Sequence, residues 1–220
     1  MRRTARTVAA MTLGDFTEAL ASGEAVPGGG AAAAVAGSLA SSLISMVVRL
    51  SLGRERYAPY VPLHEEALAA AEVARDSFLV LADADATAYA GYRSARALPH
   101  ATPAQELTRS QAIADAARGA TTVPLDVIAS CHEQVELIER LVGRSNRYGA
   151  SDLQTAALLL ESAARASSGN VRANLGSIGD EGYERAVLAE MDQRLQRIQG
   201  LVERIRERIA EAVNRAPEGT

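Results

Sequence analysis

The sequence predicts an all-α fold, an antiparallel bundle of about six or seven helices, on three observations. Ala, Leu, Arg and Glu dominate the 220 residues, aromatic side chains make up 4% and Trp is absent, a composition that favours helix over sheet. Long stretches carry apolar residues three and four apart, the spacing of one helical face. Gly and Pro fall between those stretches, where helices begin and end. A single helical domain is expected over 12–214, with a flexible extension over 1–11 and a disordered tail over 215–220.

The elements follow in order. Thr12 to Ser22 reads as a short helix with Thr12 as N-cap, Leu13, Phe16 and Leu20 on one face, and Gly23 at its end. Pro27-Gly28-Gly29-Gly30 leads into Ala31 to Leu52, a run of Ala, Ser, Gly and Leu. Side chains this small let neighbouring backbones approach closely, so a central buried helix is predicted, closed by Gly53. Pro59 and Pro62 mark a break before a long amphipathic helix from Leu63 to Leu98. Thr102 and Pro103 supply an N-cap and a first-turn proline for a helix to Thr121, after which Pro124 starts or kinks the next one, to Leu141. Residues 143–149 form a polar loop, and Ser151 with Gln154 reads as a capping box for a helix to Leu175. The last helix starts near Glu181 and shows a seam of Leu188, Met191, Leu195, Ile198, Val202, Ile205, Ile209 and Ala212 that needs an antiparallel partner. Small-residue and seam faces exceed what one thin bundle covers, so a homodimer or higher homo-oligomer is expected.

Composition excludes several functions. All 23 basic residues are Arg, which removes lysine Schiff-base chemistry and Walker-type phosphate loops. A net charge of -4 without a basic block argues against nucleic acid. No uninterrupted apolar stretch approaches the ~20 residues of a membrane span, and no signal peptide is recognisable. The one cysteine, Cys131, suits a reducing, cytoplasmic setting and reads as a buried small residue rather than a thiol catalyst. His64, His100 and His132 lack the spacing of metal ligands, so no metal is expected.

The candidate functional residues each carry a structural explanation beside the chemical one. Gly28, Gly29 and Gly30 free the backbone for positive φ before a helix, a site for an anionic or polar group or simply a tight turn. Asp83 and Asp85 point about 200° apart on a helix and so cannot form one catalytic pair. Asp85 shares its face with Tyr89 and Tyr92, where a carboxyl could gain a raised pKa and shuttle protons, whereas Asp83 aligns with Asp76 and Thr87. A solvated helix face is the commoner explanation of such acids. Arg54 and Arg56, beside Tyr57, either stabilise a helix end or clamp a ligand carboxylate. Asp152 sits in a helix cap, and Asn170 with Asn174 places two amides on one face that packing does not require.

Taken in order, Pro27-Gly28-Gly29-Gly30, Met46-Val47-Val48 with Gly53-Arg54 and Tyr57, Asp85-Ala86, Leu98-Pro99, Thr102-Pro103, Ser151-Asp152-Leu153, Asn170-Val171, Asn174-Leu175, Ile178 and Asp180-Glu181 resemble the cyclodeaminase and cyclohydrolase family of folate one-carbon enzymes. The likeness spans residues 12–210, and His100 departs from it where Lys commonly follows Leu-Pro. The resemblance implies an all-helical homodimer acting on the carbon between N5 and N10 of tetrahydrofolate, with the folate as substrate and no permanently bound cofactor. It implies conversion of 5-formiminotetrahydrofolate to 5,10-methenyltetrahydrofolate with loss of ammonia, or hydrolysis of the methenyl form to 10-formyltetrahydrofolate. Asp85, or after it Asp83, would shuttle the proton. The glycines, Asp152, Asn170 and Asn174 would orient the pterin or the bridge, and Arg54 and Arg56 would hold the glutamate tail.

Two other readings remain open at this stage: the same fold on a non-folate imine or amidine, and a non-catalytic helical scaffold. Candidate residues scattered over several helices also raise the expectation of a site shared between subunits.

Overall fold

A computed structural model describes residues 6–214 of the chain. Six α-helices follow one another: α1 (Leu13–Ala21), α2 (Gly29–Ser51), α3 (Val61–Arg96), α4 (Pro103–Leu141), α5 (Ala150–Leu175) and α6 (Glu181–Asn214). Short connections between long helices make sequence neighbours antiparallel. Helix α2 packs against α3 and α5, and α4 packs against the same two, so the four close a ring with α2 and α4 on its diagonal. Helix α6 lies over α4 and α5 and presents Met191, Ile198, Val202, Ile205 and Ile209 to them. The seam read in the sequence thus finds its partners within its own chain.

The small-residue helix is central, as composition requires. Ala31, Ala34, Ala40, Ile44 and Val47 are fully buried, and Gly37 admits the ring of Phe78, which a Cβ would meet at 2.6 Å. By length and composition α2 could cross a membrane, with a mean hydropathy of 1.9, although Ser and Gly interrupt its apolar residues. The 61% of that stretch buried inside the bundle marks it as a core helix. Its 23 residues are far shorter than the 36 of α3 and 39 of α4. The α2–α3 turn lies at the C-terminal end of α2, so α2 begins opposite about residue 84 of α3, leaving a gap among α3, α4 and α5 beyond its first turn.

Several local expectations are corrected. Gly28 has φ −126°, and the positive-φ glycines are Gly23, Gly53, Gly143 and Gly179, so the triple glycine is not there for a left-handed turn. Helix α4 runs through Pro124 without ending. Ser151 is not a cap: α5 already begins at Ala150, continuing a 3-10 turn over Arg147–Gly149. Asn146 takes over the capping work there, its Oδ1 accepting the Tyr148 N–H at 3.1 Å. Val8–Ala10 within the expected flexible extension forms a 3-10 turn. The expected tail over 215–220 lies outside the described residues. Thr12 and Thr102 cap α1 and α4 as their sequence positions indicate.

Candidate active site

The gap beyond α2 is a cleft of about 180 Å³, and its polar side chains are Asp85, Tyr89, Tyr92, Asn170 and Asn174. Gly28, Gly29 and Gly30 form one wall, with Ala88 and Ala120 opposite. Helix α2 has no side-chain N-cap of its own, because Gly28 occupies that position. Asp85 supplies the missing acceptor from α3, taking a hydrogen bond from the Ala31 N–H. A Cβ on Gly30 would lie 2.1 Å from Asp85 Oδ1. The glycine is therefore required by the carboxyl that rests on it. Burial pushes the Asp85 pKa up, and the Ala31 N–H opposes this without cancelling it. A carboxyl in that condition can hold a proton and give it back.

The asparagines have distinct settings. Pro124 has no N–H, so the Ala120 carbonyl one turn earlier loses its helical partner. Asn174 Nδ2 donates to that carbonyl at 2.8 Å. The proline inside α4 and the asparagine on α5 thus form one unit, and the Asn174 carboxamide is fixed beside the cleft. Asn170, one turn earlier on α5, lines the cleft and makes no side-chain hydrogen bond among the described residues. Tyr92 OH lies 2.9 Å from Ser177 Oγ, tying α3 to the loop after α5. Tyr89 and Tyr92 also line the cleft; they are site residues beyond the sequence candidates, and their offsets of four and seven from Asp85, which place them on its face, are the signal for them in the sequence.

Other sequence candidates lie elsewhere. Asp83 leaves α3 on a different side, where Oδ1 accepts the Val8 N–H at 2.9 Å and anchors the first 3-10 turn. Arg54, Arg56, Tyr57 and Asp152 gather at the opposite end of the bundle, about 34 Å away along α2. There Tyr57 is buried, its hydroxyl accepting the Arg147 N–H at 3.0 Å, and Arg56 lies 6.0 Å from the Tyr57 ring. Asp152 stands in the first turn of α5, where a negative charge favours the helix dipole. Cys131 is fully buried, and burial raises its pKa, which keeps the thiol protonated. Among the described residues no group of three or more His, Cys, Asp or Glu could hold a metal ion.

The fold and the cleft define the class: an all-helical protein with a half-buried carboxyl, two amides and two phenol hydroxyls lining a cleft at one end of its ring. The family model described as formiminotransferase-cyclodeaminase matches residues 12–193, and the chain belongs to that family. A methenyltetrahydrofolate cyclohydrolase of Methylorubrum extorquens is 30% identical over 203 residues, covering 92% of this chain and 98% of that protein. The formimidoyltransferase-cyclodeaminase of Gallus gallus is 31% identical over 172 residues, which span 78% of this chain and 32% of the larger protein. The crystal structure of a formiminotetrahydrofolate cyclodeaminase from Thermotoga maritima superposes with a TM-score of 0.85 at 27% identity, covering 94% of this chain and 99% of that one.

Proposed function

We propose that this chain converts 5-formiminotetrahydrofolate to 5,10-methenyltetrahydrofolate with release of ammonia. The observation that carries the reading is Asp85, a half-buried carboxyl in the cleft whose proton affinity is raised by burial. In the amidinium form of the substrate, N10 adds to the formimino carbon and a new C–N10 bond forms. Asp85 accepts the proton from N10 and returns it to the nitrogen that departs. The bond from carbon to that nitrogen then breaks, its electron pair leaving with ammonia, and the carboxyl ends as it began. Asn170 and the fixed Asn174 would present amide groups to the donor and acceptor edges of the pterin. The proposal includes a homodimer, a cytoplasmic setting and no permanently bound cofactor.

A second reading is favoured by the nearly full-length match to the Methylorubrum cyclohydrolase. There the same carboxylate would take a proton from the water that attacks the methenyl carbon and return it to N5 as the C–N5 bond breaks with its electron pair; the remaining hydroxyl proton goes to solvent and the 10-formyl product results.

One pair of assays separates the two. Purified protein given 5-formiminotetrahydrofolate should raise the near-ultraviolet methenyl absorbance above a blank, with ammonia appearing in equal amount. If instead the protein only speeds loss of that absorbance from the methenyl compound, without ammonia, it is the hydrolase. Neither change above the blank would overturn the folate reading.

A further inference from the structure

The two ends of α2 are complementary. At its C-terminal end Arg147 donates to the Tyr148 hydroxyl at 2.8 Å and stacks 4.8 Å from its ring, and the charges of Arg54 and Arg56 reach the same hydroxyl. Among the described residues, neither Arg54 nor Arg56 forms an ion pair. At the N-terminal end stand Asp85 in the cleft and the exposed Glu24 in the connection leading into α2, which also forms no ion pair among the described residues. Between these ends runs an apolar strip that none of the described residues covers. Leu39, Met46 and Leu50 are 52%, 38% and 41% exposed, with Ala32, Val35, Ala36 and Leu43 half-buried beside them at three- and four-residue spacing.

We propose that a second copy of this chain packs on the α2 strip about a two-fold axis, placing Arg54 and Arg56 of each copy over the Asp85 cleft of the other. A two-fold interface is self-complementary, and an axis crossing α2 at right angles runs the two copies of the helix antiparallel. With the axis midway between Leu39 and Met46, the first turn of α2 lies beside the end of α2 in the other copy, where the chain turns toward α3 and carries Arg54 and Arg56. Basic end then meets acidic end twice, and the leucines and methionines of the strip meet one another. Candidates that lie about 34 Å apart in one chain become neighbours across the interface.

The cleft needs such a completion. At about 180 Å³ it is smaller than the roughly 300–1,000 Å³ of a typical small-molecule site, so a folate leaves its anionic tail outside. Guanidinium groups from the partner subunit would bind those carboxylates. The identity of that anion rests on the folate reading; the pairing of the two ends does not.

Two measurements test the proposal. Asp85→Asn chains and Arg54→Ala/Arg56→Ala chains are co-expressed and assayed below KM. The arginine variant alone should lose about 10- to 100-fold in kcat/KM, as charge-assisted hydrogen bonds disappear. Mixed dimers regain one intact site each, so the mixture should recover to about a quarter of wild-type activity. A mixture no more active than the mean of its parents overturns the shared site. Independently of any substrate, Ala32→Cys chains mixed with Arg54→Cys chains should give a one-to-one product with a short bismaleimide, because Cys131 is buried. An inactive wild type that cross-links in this way would remove the folate reading and keep the shared site. An active wild type giving neither cross-link nor recovery would do the reverse. A monomer in sedimentation overturns the proposal. A dimer through the groove between α3 and α4, where Val73 and Val80 are each 67% exposed, also gives neither signal and overturns it.

Discussion

Asp83 and Asp85 show what one residue's phase on a helix decides. Their separation by two makes them face apart, but which of them points inward depends on where α2 begins, a tertiary fact. Asp85 meets Gly30 and the Ala31 N–H, while Asp83 holds Val8. Asp83→Ala should therefore keep turnover within about twofold and speed hydrogen exchange at Val8, the loss of one hydrogen bond. Gly30→Ala should reduce turnover at least 10²-fold, since its methyl displaces the carboxyl, at a stability cost of about 1–3 kcal/mol. The Asp85 pKa is raised in the folded chain, so folding favours its neutral form. The unfolded state loses that proton first as pH rises, and stability falls as pH passes through the folded value. Asp85→Asn should accordingly melt higher than wild type at pH 7, and this advantage should vanish below the ordinary carboxyl range. An equal offset at both pH values would contradict the assigned cause.

At the scale of elements, helix type and order were legible because periodicity and Gly or Pro punctuation are local signals. What misled was chemistry that reaches across elements. Pro124 reads locally as a break, yet α4 continues because Asn174, fifty residues further on, accepts the burden of the freed Ala120 carbonyl. Asn174→Ala should destabilise the fold by about 1–3 kcal/mol by leaving that carbonyl without a partner. Pro124→Ala restores a helical N–H, so the double variant should recover most of the loss in a chemical denaturation cycle. Simple additivity would show the two residues to be independent. Ser151 with Gln154 failed as a cap for the opposite reason: the preceding 3-10 turn carries the helix start upstream, which a four-residue pattern cannot reveal.

Across the whole molecule, the bundle and its central helix follow from composition, but the placement of the site does not. Helix α2 is short relative to α3 and α4, and that difference in length opens the cleft where Asp85, Asn170 and Asn174 converge. The same helix carries Arg54 and Arg56 to the far end, so the sequence candidates divide into two clusters, with Asp83 apart from both. On the proposed function, the Asp85 carboxyl moves the proton in this cleft. The most direct test compares initial rates of methenyl and ammonia formation from 5-formiminotetrahydrofolate for wild type and Asp85→Asn, at matched folded fraction. General acid–base catalysis by one positioned group predicts a fall of about 10²–10⁴-fold in a variant that melts no lower than wild type. A variant whose rate stays within about threefold of wild type, a loss well below that range, would mean that another group moves the proton.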